Sequence, residues 1–122
     1  MGRGMLAGRF GGDATFARDD FRSTLPKFQG DNLTANAALV GELTTFARER
    51  GHTPGQVALA RLLAQPYDIV PIPGARRLDR VRENLAATSA RLGHDDVAHL
   101  NELFAPARVR DGRYGDLHTT GK

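Results

Sequence analysis

Asp68-Ile-Val-Pro-Ile-Pro-Gly74 is the one segment of this chain that reads as a β-strand, and it carries two prolines. Ile69, Val70 and Ile72 are β-branched and suit a pleated surface. Pro71 and Pro73 have no N–H, so the strand is short or donates along one edge only. The remaining segments read as helix or loop. A lone strand has nothing to pair with, and its buried backbone groups would go unsatisfied. The expectation is that its partner strands lie outside these 122 residues, either on another chain or in a longer protein of which this is a fragment.

The other elements follow from spacing and end signals. Residues 1–31 read as loop, punctuated by Gly2, Gly4, Gly8, Gly11, Gly12, Gly30 and Pro26. A structureless stretch of that length is uncommon unless functional. A first helix is expected from Asp31 or Asn32, either of which can cap it, with Leu39, Val40, Leu43, Phe46 and Ala47 at helical spacing and Gly51 ending it. The second has a sharper start: Thr53 as N-cap, Pro54 in the first turn and Gln56 completing a capping box. Val57, Ala58, Leu59, Ala60, Leu62 and Leu63 make it apolar almost all round, so Arg61 must reach water or a partner. Residues 77–87 and 95 or 96 to 104 read as two further helices, and 105–122 as an ordered loop that frays.

Composition excludes several classes. There is no Cys, so disulfides, thiolate catalysis and Cys-ligated zinc are out. No apolar run approaches a membrane span, and the N-terminus has no signal-type apolar core. The expectation is a cytoplasmic protein with no membrane or nucleic-acid partner. The net charge of +3 is too small to imply nucleic acid, although the basic set is lopsided, with fifteen Arg against Lys27 and Lys122. His52, His94, His99 and His118 show no metal-ligand spacing, so no metal is expected.

The segment Ile69-Val-Pro-Ile-Pro-Gly-Ala-Arg-Arg-Leu-Asp-Arg-Val-Arg-Glu-Asn84 runs strand, Pro-Gly turn, helix. A helix N-terminus favours an anion, and Arg76 and Arg77 stand there. At 100° per residue from Arg76, Arg80 falls near 40°, Glu83 near 340° and Asn84 near 80°. Leu78, Val81 and Leu85 fall opposite, at about 140–200°. One face would dock on a core. The other offers two guanidinium forks suited to phosphate, with a carboxylate and an amide able to bond an adenine edge. The same pattern also fits a plain surface helix with an Arg80–Glu83 or Arg80–Asn84 contact.

Ile72-Pro73-Gly74-Ala75-Arg76 followed by Glu83-Asn84 resembles the C-terminal cofactor signature of the aldo-keto reductases. Pro54-Gly-Gln-Val-Ala-Leu-Ala60, Leu63-Ala-Gln65, Gly2-Arg-Gly-Met-Leu-Ala-Gly8, Asp20-Phe21-Arg22 and Pro26-Lys-Phe28 resemble that family too, in collinear order over about residues 1–114. The resemblance implies an α/β fold: the C-terminal part of a (β/α)₈ TIM barrel, mostly helical, with one barrel strand. It is incomplete by itself, because a whole barrel needs about 200 residues or more. On this reading residues 1–31 form a cofactor-side loop, and residues 69–87 the last strand and the cofactor-phosphate helix. The implied cofactor is NADP(H) and the implied substrate a small carbonyl compound, reduced to an alcohol by the complete enzyme. By resemblance Arg76 and Arg80 would hold the adenosine 2′-phosphate, and Glu83 and Asn84 would contact adenine. Gly74 belongs to the signature turn. Gly2, Arg3 and Gly4 would lie on the pyrophosphate, with Arg9 and Arg22 beside the cofactor.

The chain also departs from the family. Its catalytic Asp, Tyr, Lys and His lie upstream of the region matched, so no catalytic residue is assigned. Tyr67, Tyr114, Lys27, Lys122 and the histidines do not occupy that context. Arg61 stands where the family usually has a bulky aromatic. The alternatives are a non-catalytic truncated remnant or a small basic helical binding module built on Arg76, Arg77, Arg80 and Arg82. Asp79 and Glu83 interrupt that cluster, and no aromatics interleave it. The 122-residue chain is expected to be helical, marginally stable and prone to associate, without carbonyl-dependent NADPH oxidation. Circular dichroism melting and NADPH absorbance with an aromatic aldehyde test this. A sharp monomeric transition overturns the first expectation, and turnover above the protein-free rate the second.

Overall fold

The computed structural model describes residues 1–110, and the positions Tyr114, His118 and Lys122 lie outside them. All regular structure among the described residues is helical. Three short 3-10 segments, Gly2–Ala7, Phe21–Thr24 and Pro26–Phe28, precede α1 (Gly30–Glu49) and α2 (Pro54–Leu63). An irregular stretch leads to α3 (Leu78–Ala86), a 3-10 turn at Ala87–Ser89 and α4 (His94–Leu103).

The expected strand does not form. Residues 68–75 carry no ladder among the described residues. Val70 is 84% exposed and Ile72 93%. β-branched residues state a preference, but a strand exists only through hydrogen bonds to a neighbour, and none is at hand. The expected N-terminal loop is also corrected. Gly2, Gly4 and Pro26 fall within tight 3-10 segments, Gly30 opens α1, and Met5, Leu25 and Phe28 are core residues.

The first helix starts at Gly30, with Gln29 at the N-cap making no side-chain cap bond. Asn32, expected as a cap, instead donates its amide N–H to the carbonyl of Pro26 at 3.3 Å. The helix buries Leu33, Asn36, Leu39, Val40, Leu43, Phe46 and Ala47, a stripe at three- and four-residue spacing. Both cores are built on that stripe. Leu39, Leu43, Phe46 and Ala47 meet Val57 of α2 and Leu100 and Leu103 of α4. Leu33 and Val40 meet Met5, Leu25 and Phe28, and Leu6 packs against both groups. The rings of Phe10, Phe16 and Phe28 surround one corner, with centroids 5.2 to 5.8 Å apart. Each fully buried Leu here contributes about 1.5–3 kcal/mol over its exposed state.

Buried Asn36 is fully used. Its amide donates to the carbonyls of Lys27 at 3.3 Å and Arg110 at 2.9 Å, and its oxygen accepts from the Arg110 N–H at 2.8 Å. One side chain thereby ties the N-terminal turns to residue 110, 74 positions further on.

In α2 the capping box forms as expected. Thr53 Oγ1 accepts from the Gln56 N–H at 3.2 Å, and Gln56 Oε1 accepts from the Thr53 N–H at 3.0 Å. Gly55, Val57, Leu59 and Ala60 are buried, whereas Leu62 and Leu63 are exposed. Arg61 finds a partner in α4: its Nε donates to Asn101 Oδ1 at 2.8 Å. Burial pushes this guanidinium below its ordinary value.

The apolar stripe of α3 is not docked on a core among the described residues. Leu78, Val81 and Leu85 are exposed. Thr53→Ala removes one capping bond at α2 and should lower stability by about 1 kcal/mol. Urea denaturation checks this as a lower midpoint at unchanged slope.

Candidate functional site

A cleft of about 700 Å³ separates the Gly2–Ala7 turn from the start of α3. Met1, Arg3, Gly4, Ala7 and Arg9 form one wall, and Gly74, Ala75, Arg76, Arg77, Arg80, Glu83 and Asn84 the other. Eight of the ten residues singled out in the sequence meet here: Arg3, Gly4, Arg9, Gly74, Arg76, Arg80, Glu83 and Asn84. Gly2 and Arg22 do not line it. Arg76 lies before α3 rather than on it, and Arg77 occupies the N-cap position.

Five arginines and one carboxylate line this cleft, so its charge is strongly positive and complementary to an anion. The cations are not equivalent. Arg77 pairs with Asp79 at 3.1 Å, a contact open to water and worth little. Arg80 Nη1 holds Glu83 Oε2 at 2.7 Å. No carboxylate pairs with Arg9 or Arg76 among the described residues. Those two have their charge available.

Glu83 is set from behind. Gln56 Nε2 donates to the Glu83 carbonyl at 3.1 Å, anchoring α3 on the α2 capping box. Burial works to raise the Glu83 carboxyl, but hydrogen bonds from Arg80 and Thr53, with the Arg80 charge, outweigh it and hold the group below its ordinary value.

The opposite wall is a left-handed turn. Gly2, Arg3 and Gly4 have φ of 58°, 56° and 95°. Glycine takes such angles freely, whereas a side-chain-bearing residue like Arg3 does so at a cost of about 1–3 kcal/mol. The segment behind it meets that demand. Arg22 Nη1 donates to the Arg3 carbonyl at 3.3 Å, and the Arg3 guanidinium lies 5.0 Å over the Phe21 ring.

Arg22 therefore stands behind the cleft wall. Its Nε and Nη2 grip Asp20 at 3.0 and 2.6 Å, while its plane covers Phe16 at 4.7 Å and Phe10 at 5.6 Å. Side-chain and backbone hydrogen bonds from Arg22 hold the Asp20 carboxyl below its ordinary value, and Asp20 raises Arg22 in turn. Sequence reasoning missed the support given by Phe21, Thr53 and Gln56. The capping box was a visible signal for the last two, but nothing in it revealed that Gln56 also reaches α3.

Elsewhere, His99 stacks on Phe46 at 5.8 Å, and Arg50 bonds Asp96 at 2.7 Å, which lowers the Asp96 carboxyl. Among the described residues no three acidic or His side chains gather as a metal site, and no helix is long and apolar enough to cross a membrane.

Comparison with known proteins places the chain in a family. The model of the aldo/keto reductase family matches residues 1–105, and the chain belongs to that family. It is 38% identical over 114 residues to the aldo-keto reductase yakc [NADP(+)] of Schizosaccharomyces pombe, covering 93% of this chain and 34% of the relative. It is 35% identical over 120 residues to the aldo-keto reductase str7 of Strobilurus tenacellus, covering 96% and 36%. It is 32% identical over 117 residues to the probable aldo-keto reductase 1 of Glycine max, covering 93% and 33%. The chain thus spans about a third of the length of these curated relatives.

The lowered carboxyls set the acid response. Asp20, Glu83 and Asp96 have folded values below their ordinary 3.8 for Asp and 4.5 for Glu. Their ion pairs stabilise the fold in full above those ordinary values, and that contribution is lost as pH falls through the lower folded ones. Denaturation midpoints should therefore fall between roughly pH 5 and pH 3. Asp96→Asn should flatten that fall, and an unchanged slope would contradict the assignment.

Proposed function

We propose that the cleft binds the adenosine-phosphate portion of NADP(H), and that this chain is the cofactor-binding segment of an NADPH-dependent aldehyde or ketone reductase. The observation that carries this is that Arg9, Arg76 and Arg80 line one cleft, and that Arg9 and Arg76 have no carboxylate partner among the described residues. A neutral ligand gives no reason for that charge, whereas a dinucleotide with an extra phosphate does. Family membership and a relative named for NADP(+) support the same reading.

The residues fit the cofactor. Arg76 and Arg80 would hold the 2′-phosphate as charged donors. Asn84 and Glu83 would meet adenine, one as an amide and the other as an acceptor. The Gly2, Arg3 and Gly4 backbone, with Arg9, would face the pyrophosphate, and Gly74 in the signature turn would let the chain approach closely. Arg80 and Glu83 are already paired, so the phosphate competes for Arg80 while Arg76 receives it directly. When bound, NADPH supplies a hydride to a carbonyl carbon. This chain's residues give affinity and orientation, and the proton donor belongs to residues outside those matched here. In the complete protein a (β/α)₈ barrel would pair residues 69–72 with neighbouring strands and cover Leu78, Val81 and Leu85.

Arg76→Ala should weaken NADP⁺ by about 1.5–3 kcal/mol, the range for a charged hydrogen bond, and leave NAD⁺ nearly unchanged. Asn84→Ala should weaken both by about 1 kcal/mol. Calorimetric titration of each variant with both nucleotides reads the difference. Equal losses for the two nucleotides in Arg76→Ala overturn the phosphate assignment.

A further inference from the structure

We propose that Asp20-Phe21-Arg22 is a positioning bracket that presets Arg3 and its left-handed turn for the pyrophosphate, and that Arg22 acts through this turn rather than on the ligand. The inference rests on the NADP(H) reading and extends it. Three contacts carry it. Arg22 Nη1 holds the carbonyl of Arg3, the residue in the turn that pays for a positive φ with a side chain. Phe21 carries the Arg3 guanidinium on its ring face. Asp20 fixes the Arg22 fork through Nε and Nη2, leaving Nη1 turned toward the Arg3 carbonyl. The backbone and the side chain of Arg3 are thus held by consecutive residues.

The bracket is itself anchored. Arg22 lies over Phe16 and Phe10, which pack against the core around Met5, Leu25 and Phe28. Asp20 also caps the Phe21–Thr24 turn by accepting the Arg22 N–H at 2.9 Å. The same carboxylate therefore orders the local turn and aims the guanidinium. The turn lies directly against this support: a Cβ at Gly4 would be in ordinary contact with Arg22 Nη1 and Phe10, at 3.6 Å each. A turn prearranged in this way meets a diphosphate without reordering on binding. Lysine could not substitute, because one ammonium cannot span a carboxylate and a carbonyl as a planar fork does.

The bracket lies against one wall only, which makes the inference testable on the full chain with two ligands. NADP⁺ spans both walls, whereas adenosine 2′-monophosphate has no pyrophosphate and needs the α3 wall alone. Arg22→Ala should weaken NADP⁺ about tenfold, as expected for one lost charged bond. Adenosine 2′-monophosphate should stay within about twofold. Arg22→Lys should not restore NADP⁺ affinity, and Phe21→Ala, at an exposed ring, should reproduce part of the loss without loss of fold. In ¹⁵N spectra of the ligand-free chain, Arg22→Ala should move the amide signals of Arg3 and Gly4 and leave those of Arg76 and Arg80 in place. Equal weakening of both ligands overturns the bracket, since it would mark a general loss of structure. Unmoved Arg3 and Gly4 amides overturn it whether or not the chain binds nucleotide. Failure of the unmodified chain to bind either ligand overturns the NADP(H) reading instead.

Discussion

The second wall of the cleft hangs from one side-chain amide. Gln56 uses its oxygen to close the α2 capping box and its nitrogen to hold the backbone carbonyl of Glu83. Glu83 then grips Arg80, and the start of α3 comes to face the Gly2–Ala7 turn. The apolar stripe of α3 cannot do this work, because Leu78 and Leu85 face solvent. Among the described residues that helix buries no side chain, and a directional bond ties it to the start of α2.

Charge is distributed with the same economy. Cations that stiffen the fold have partners: Arg22 with Asp20, Arg50 with Asp96 and Arg80 with Glu83. Arg9 and Arg76 have no carboxylate partner among the described residues, and both line the cleft. This difference, more than the number of arginines, is what the proposed nucleotide site rests on. The turn opposite α3 adds backbone held in a conformation that Arg3 would not choose alone, and its neighbours supply the restraint.

The two cores share α1, which contributes Leu39, Leu43, Phe46 and Ala47 to one and Leu33 and Val40 to the other. Beyond it the molecule is unevenly covered, with Tyr67, Val70, Ile72, Leu78 and Leu85 among the exposed large apolar residues. They lie in and on either side of the segment that reads as a strand, which is where a sheet and its covering layer would bury them. Relatives about three times as long as the matched stretch are consistent with such a layer.

By itself the sequence determined what local chemistry decides. The α2 start was legible because Thr53, Pro54 and Gln56 satisfy helix-end N–H groups from within four residues. The buried face of α1 followed from spacing, and motifs pointed to eight of the residues that line the cleft, although Gly2 and Arg22 stand outside it. Tertiary structure decided the rest. Residues 69–72 have strand-forming side chains but no ladder, because pairing is a property of two segments. Asn36 is buried in the apolar stripe of α1 because the carbonyls of Lys27 and Arg110 come within its reach, contacts that no local spacing reveals. Arg22 carried the same basic signature as Arg9. Only the position of Asp20, Phe10 and Phe16 around it turned one arginine into a support for the wall while the other kept its charge in the cleft.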